Sequence, residues 1–174
     1  MRMLFAAVAA VAFAIPAVAA DIKLSGDNTK VTFTGTKPDG KHDGGFKTLT
    51  GTATVDGDTL SGVQVEIATD SIFTDNPGLT GHLKGPDFFG VKNHPKATFA
   101  STKVEKTDKG YNIVGDLTLL GKTKSITIPA TISHSGGTLK IDGAVNIDRN
   151  DFGMTYGKGK VDAAVSIKVA VEAK

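Results

Sequence analysis

The chain contains no cysteine. That absence excludes disulfides, thiolate nucleophiles and a lipid-modified cysteine. Arginine is nearly absent too: Arg2 and Arg149 are the two arginines among 20 Lys and Arg residues. The basic residues form no block. Without Arg2 there remain 19 basic against 18 acidic side chains, so nothing marks nucleic acid as a partner. Long apolar runs are missing. The stretch Leu4 to Ile15 falls short of the ~20 residues that cross a bilayer as a helix, and no later segment is longer. There is no Gly-x-Ser-x-Gly nucleophile elbow and no glycine-rich phosphate loop.

What is present begins with a leader. Arg2 supplies a positive start, Leu4 to Ile15 carries no polar side chain, and Pro16 precedes the small residues Ala17-Val18-Ala19-Ala20. This layout predicts a secretory signal peptide over residues 1–20, cleaved after Ala19 or Ala20, and a mature domain over residues 21–174. The protein is then expected to be exported, and periplasmic in a cell with that compartment. A domain of this size buries enough surface to stand without disulfides. No internal repeat, low-complexity tract or linker suggests a second one.

The mature sequence alternates apolar and polar residues almost throughout, the period that buries one face of a sheet. Val31 and Phe33 alternate with threonines, and Val63, Val65 and Ile67 with Gln64 and Glu66. Tyr111, Ile113, Leu117 and Leu119 share a face around Gly115. Ile126 to Ile132, Leu139 to Ile147 and Val161 to Val171 continue the pattern. Glycine-containing turns separate these runs, among them Asp39-Gly40, Asp56-Gly57, Lys109-Gly110 and Gly136-Gly137. The reading is all-β: an eight-stranded antiparallel barrel, a strand number that closes around side chains or one small ligand. The segment Thr36 to Gly44 is polar and atypical.

The β pattern breaks between Thr74 and Pro95. Pro77, Pro86 and Pro95 punctuate this stretch, and Pro86 is placed to open a short helix containing Asp87, Phe88 and Phe89. A helical lid segment around 75–95 over one barrel end is expected. Its aromatics must be buried, as ordinary core or against a bound chain. His82 and His94 lie on the same excursion and, with Asp75 or Asp87, could in principle hold a metal, but their spacing matches no tight ligand motif. Asp148 and Asp151 flank Arg149, which suggests a paired, ionised turn rather than acid–base catalysis. Two roles stay open for Arg149: a clamp on aspartate or main chain, or a fork for a ligand's polar head.

The ordered set of these segments resembles the YceI-like family, bacterial polyisoprenoid-binding proteins of lipocalin-like fold. It runs from Val31-Thr32-Phe33 through Gly45-Phe46-Lys47-Thr48-Leu49-Thr50-Gly51 and Ser71-Ile72-Phe73-Thr74. The most specific block is His82-Leu83-Lys84-Gly85-Pro86-Asp87-Phe88-Phe89, followed by Pro95 and Ala97-Thr98-Phe99. Gly115 to Gly121, Ile126-Thr127-Ile128-Pro129 and Asn146 to Met154 complete it. One departure is Gly85, where the family usually has serine. The resemblance implies a lipocalin-like barrel with an apolar pocket. It also implies an isoprenoid or similar amphipathic ligand, such as a polyprenyl phosphate or a quinone.

Together these readings predict a lipid-binding protein without catalytic residues, cofactor or metal. The expected pocket residues are Phe33, Val65, Ile67, Phe88, Phe99, Ile113, Leu117, Ile128, Val145 and Val165. The expected contacts to a polar head are His82, Lys84 and Arg149. Two alternatives belong to other classes. One is a barrel filled by its own side chains that acts as a stress or interaction module on another exported protein. The other is a metal-assisted enzyme using His82 and His94. Pairing into a homodimer stays open.

Overall fold

In the computed structural model, residues 19–174 are described. The predicted signal peptide lies outside the described residues, apart from Ala19 and Ala20, which open the first strand. The strands are β1 (Ala19–Ser25), β2 (Thr29–Lys37), β3 (Gly40–Phe46), β4 (Leu49–Asp56), β5 (Thr59–Ala68), β6 (Ile72–Thr74), β7 (Lys96–Thr107), β8 (Gly110–Leu119), β9 (Lys122–Ser135), β10 (Thr138–Asp148) and β11 (Ala164–Ala173). They form one antiparallel sheet in the order β1-β4-β5-β7-β8-β9-β10-β11-β2-β3-β6. β1 and β2, far apart in that order, are consecutive in the chain. The sheet therefore curls on itself: β11 pairs with β2, and the Glu172 N–H donates to the Asn28 carbonyl at 2.9 Å at the start of that ladder.

The barrel-like architecture expected from alternation is present, with 11 strands in place of eight. The difference has a local cause. β1 with β2, and β3 with β4, are two long passages, each broken once. β1 pairs with β4 and β2 with β3, but the register slips by two residues between Ser25↔Thr50 and Val31↔Phe46. At the break a Cβ on Gly26 would sit 2.2 Å from the Lys47 carbonyl oxygen, so only glycine lets the passages come this close. Short β6 adds to the β3 edge.

Three details depart from the sequence reading. The polar segment Thr36 to Gly44 carries the start of β3, which pairs with β2. Its side chains are mostly exposed at the rim, so it shows no apolar alternation. The last strand begins at Ala164 rather than Val161, because the Val161 and Asp162 carbonyls are drawn to the Arg149 guanidinium. The helix α1 spans Pro77–Lys84 and does not start at Pro86. Asn76 caps it, its side chain accepting from the Leu79 N–H at 3.0 Å, and Pro77 fills the first turn, where no N–H is needed. Pro86 holds Gly85 extended, which ends the helix. Phe88 and Phe89 follow in hydrogen-bonded turns, with Phe89 N–H donating to the Leu83 carbonyl at 3.0 Å.

The core has a closed end and an open end. Ile22, Leu24, Leu49, Ala53, Val55, Leu60 and Leu139 pack the closed end. A second cluster of Leu117, Leu119, Ile147, Phe152 and Met154 lies toward the other end, and Ile72, Leu83 and Phe88 form a third beneath the helix. Between β9 and β10 the ladder runs only from Ser135↔Thr138 to Ala130↔Gly143. Pro129, without an N–H, stands where it stops. Beyond that point β10 pairs with β11 alone. The 3-10 turn Arg149–Phe152 follows β10 there, with Phe152 buried.

Candidate functional site: an apolar cavity under a helical lid

The inward side chains do not fill the barrel. They leave a cavity of about 400 Å³, within the ~300–1,000 Å³ range of small-molecule sites. Its wall includes all ten pocket residues expected from the sequence. Phe33 comes from β2, Val65 and Ile67 from β5, Phe99 from β7, and Ile113 and Leu117 from β8. Ile128, Val145 and Val165 come from β9, β10 and β11, and Phe88 from the turn after the helix. Ile113 and Ile128 also belong to the closed-end core, so they form the floor. Strand alternation explains the nine strand positions, since once one residue of a strand faces in, every second one does; Phe88 is brought in by the turn.

The wall also holds residues that the sequence reading did not single out. Ile126 and Ile167 share the inward face with residues that it did name, so the alternation could have found them. Phe46 and Phe89 meet edge-on with ring centres 5.6 Å apart, closing the lid side. Tyr156 reaches the rim from a loop with no periodicity to read, whereas Lys37 and His42 continue the inward faces of β2 and β3 to the rim.

The polar groups gather at the lid end. His82, on α1, shares a hydrogen bond between its Nε2 and Asp87 Oδ2 at 3.1 Å. Its ring meets Phe88 and Tyr156 edge-on, both with centres 5.0 Å away. On the other side of the rim, His42 Nδ1 lies 2.9 Å from Asp75 Oδ1. That bond, with a second from the Asp43 N–H, holds the Asp75 carboxyl below its ordinary range. Lys84, expected beside His82, is not on the wall, because it sits two residues further round the helix. His94 is tied into the chain through its carbonyl, which accepts from the Thr69 hydroxyl at 2.6 Å. Among the described residues, no group of three or more His, Cys, Asp or Glu side chains could hold a metal.

Arg149 is 4% exposed and borders the cavity. Its Nε donates to the Asp162 carbonyl at 3.0 Å and its Nη2 to that of Val161 at 3.1 Å. Nη1 serves the carbonyls of Met154 and Tyr156 at 2.5 and 2.8 Å. Of the two roles open for this residue, the main-chain clamp is formed: one side chain ties down the loop 153–162. The expected pairing with Asp148 and Asp151 is absent. Asp148 instead accepts from the Asn150 N–H at 2.8 Å and caps the 3-10 turn. A cap oriented toward that backbone N–H is turned away from the guanidinium.

Comparison with known proteins places this arrangement. The chain is 34% identical over 116 residues to a UPF0312 protein of Yersinia pestis (strain Pestoides F), a match covering 63% of the chain. It spans 60% of the length of that curated relative. Among solved structures, it resembles BcnA of Burkholderia cenocepacia with a TM-score of 0.77 and 27% identity, over 84% of this chain and 96% of that one. It shares the fold of a polyisoprenoid binding domain from Saccharophagus degradans, with a TM-score of 0.69 and 14% identity over 92% of this chain and 99% of that one. The profile of the YceI-like domain matches residues 22–173, nearly all of the described chain, and the protein belongs to the YceI-like family.

Proposed function

We propose that the protein is exported to the periplasm and sequesters or carries a polyisoprenoid or similar amphipathic chain, such as a polyprenyl phosphate or a quinone, in its barrel cavity. One observation carries this reading: an apolar cavity of about 400 Å³ remains inside a barrel whose closed end is fully packed. Burying a chain there is favourable by roughly 0.8 kcal/mol per methylene, enough to offset the ordering of a flexible tail once several are buried. The cavity weighs against the alternative of a filled barrel acting as an interaction module. So does the sparse apolar surface: the large apolar residues exposed among the described ones are Phe73 and Tyr156. Binding without catalysis is the simplest use of a wall this poor in polar groups.

The test is to purify the processed protein from its native compartment without detergent and extract it for lipid mass spectrometry. A stoichiometric prenyl species supports the reading. An empty extract with no rebinding of prenyl lipids shifts it to the filled-barrel module. Val65→Trp, which fills the cavity from β5, should abolish rebinding in a protein that stays folded by circular dichroism. Ile113→Trp should act in the same way, with a greater cost to stability because Ile113 is also sealed in the closed-end core.

A further inference from the structure

The permanent charges on the cavity wall, Lys37 and Arg149, have one sign. Lys37, His42, His82 and Arg149 border it, together with Tyr156, and no aspartate or glutamate does. The two histidines each face a carboxylate set back from the wall, His42 with Asp75 at 2.9 Å and His82 with Asp87 at 3.1 Å. Arg149 and Lys37 have no such partner among the described residues. The carboxylate nearest Arg149 in the loop it clamps is Asp162, which is exposed and accepts from the Thr36 hydroxyl at 2.5 Å instead.

Buried cations are normally paired, because removing a charge from water is costly. Arg149 meets that cost with four carbonyl oxygens, whose dipoles solvate the guanidinium but leave its full positive charge in place. A guanidinium has five N–H donors, so one on Nη2 remains after these four bonds. Next to an apolar, weakly screening wall, that charge acts on whatever fills the cavity mouth. An alcohol, amide or quinone gains only a dipole interaction there. A carboxylate or phosphate supplies the missing countercharge.

Resting on the carrier reading above, we propose that the cavity selects single-chain amphiphiles with an anionic head, a carboxylate or a phosphate monoester, over neutral ones of the same chain. Arg149 and Lys37 provide the field, and Arg149 does so without leaving its carbonyls. The apolar wall sets how much chain is held. The cationic rim sets which head is accepted.

Matched ligands test this on the processed chain: farnesyl phosphate against farnesol, and hexadecanoate against hexadecanamide, each measured by calorimetry. In both pairs the anion should bind about tenfold tighter or more, and the ratio should fall as salt rises from about 50 to about 500 mM. Lys37→Gln should lower that ratio several-fold. Lys140→Gln, at the closed end where Lys140 pairs with Glu172, should leave it unchanged. Comparing the two anions tells a prenyl phosphate from a fatty acid as the better source of the same chemistry. Equal affinities within each pair, or a ratio that neither salt nor Lys37→Gln alters, overturn the inference and leave chain binding intact. If neither member of either pair binds, the carrier reading fails and the inference with it.

Discussion

Replacing Arg149 by methionine keeps a long apolar stem and removes all four of the bonds that the guanidinium donates. A hydrogen bond from a charged donor contributes roughly 1.5–3 kcal/mol, and an acceptor left buried costs about 1–3 kcal/mol. The four carbonyls do not weigh equally. Those of Tyr156 and Asp162 belong to exposed residues and can turn to water, whereas Met154 is 6% exposed and Val161 is half-buried. Counting two carbonyls as stranded gives a loss of about 3–5 kcal/mol. For a chain of this length 1 kcal/mol moves the melting temperature by roughly 2–4 °C, so Arg149→Met should melt about 6–20 °C below the native protein. Arg149→Lys keeps the charge but has only three donors on one atom, and should fall between the two. Thermal unfolding by circular dichroism reads the global effect. Hydrogen exchange reads the local one: the Lys160 and Val161 amides, bonded to the Gly157 carbonyl at 2.8 and 2.9 Å, should lose protection first. A methionine variant that melts within about 2 °C of the native protein, with loop protection intact, would refute the clamp.

Two further predictions concern the barrel and its rim. A Cβ on Gly115 would fall 2.5 Å from the Ala100 carbonyl oxygen and 2.6 Å from Phe99 Cζ, so Gly115→Ala should cost about 1–3 kcal/mol in urea unfolding and weaken chain binding by displacing the Phe99 ring. Gly35→Ala, with no atom within 4 Å of the added carbon, should stay within about 0.5 kcal/mol of native; a comparable loss there would show that packing is not the cause. Asp75 is held below its ordinary value of 3.8, first by the His42 bond and then by the Asp43 N–H. The folded state thus binds that proton less tightly than the unfolded chain. The stabilisation is present above the ordinary carboxylate range and lost as the pH falls through the lower folded value. The gap in melting temperature between native protein and Asp75→Asn should be open at about pH 6 and close in strong acid; a gap that widens in acid would reverse the assignment.

Alternation by itself determined the wall of this protein. In β5, β8, β9 and β10 each apolar residue at every second position was committed to one face, whatever lay across from it, because the pleat of a strand leaves no other choice. Nine of the ten named residues therefore stand on the cavity without any knowledge of which strands pair, and Phe88 comes from the turn after the helix. The rim was settled differently. Asn76 and Pro77 carried a readable helix start, yet Pro86 offered a competing one, and the capping bond to Leu79 decided between them. β3 is polar on its exposed side chains and became a strand only because β2 was there to pair with it. Lys37 with His42, then His82, then Arg149 with Tyr156 lie in three stretches separated by tens of residues and share no single period. They meet because the sheet curls and brings the hairpin after β2, the helix and the loop after β10 to the same end. A periodic signal is local and survives in one dimension. The direction of a buried guanidinium depends on carbonyls that only the closed fold brings within reach, and the strand pattern carries no record of them.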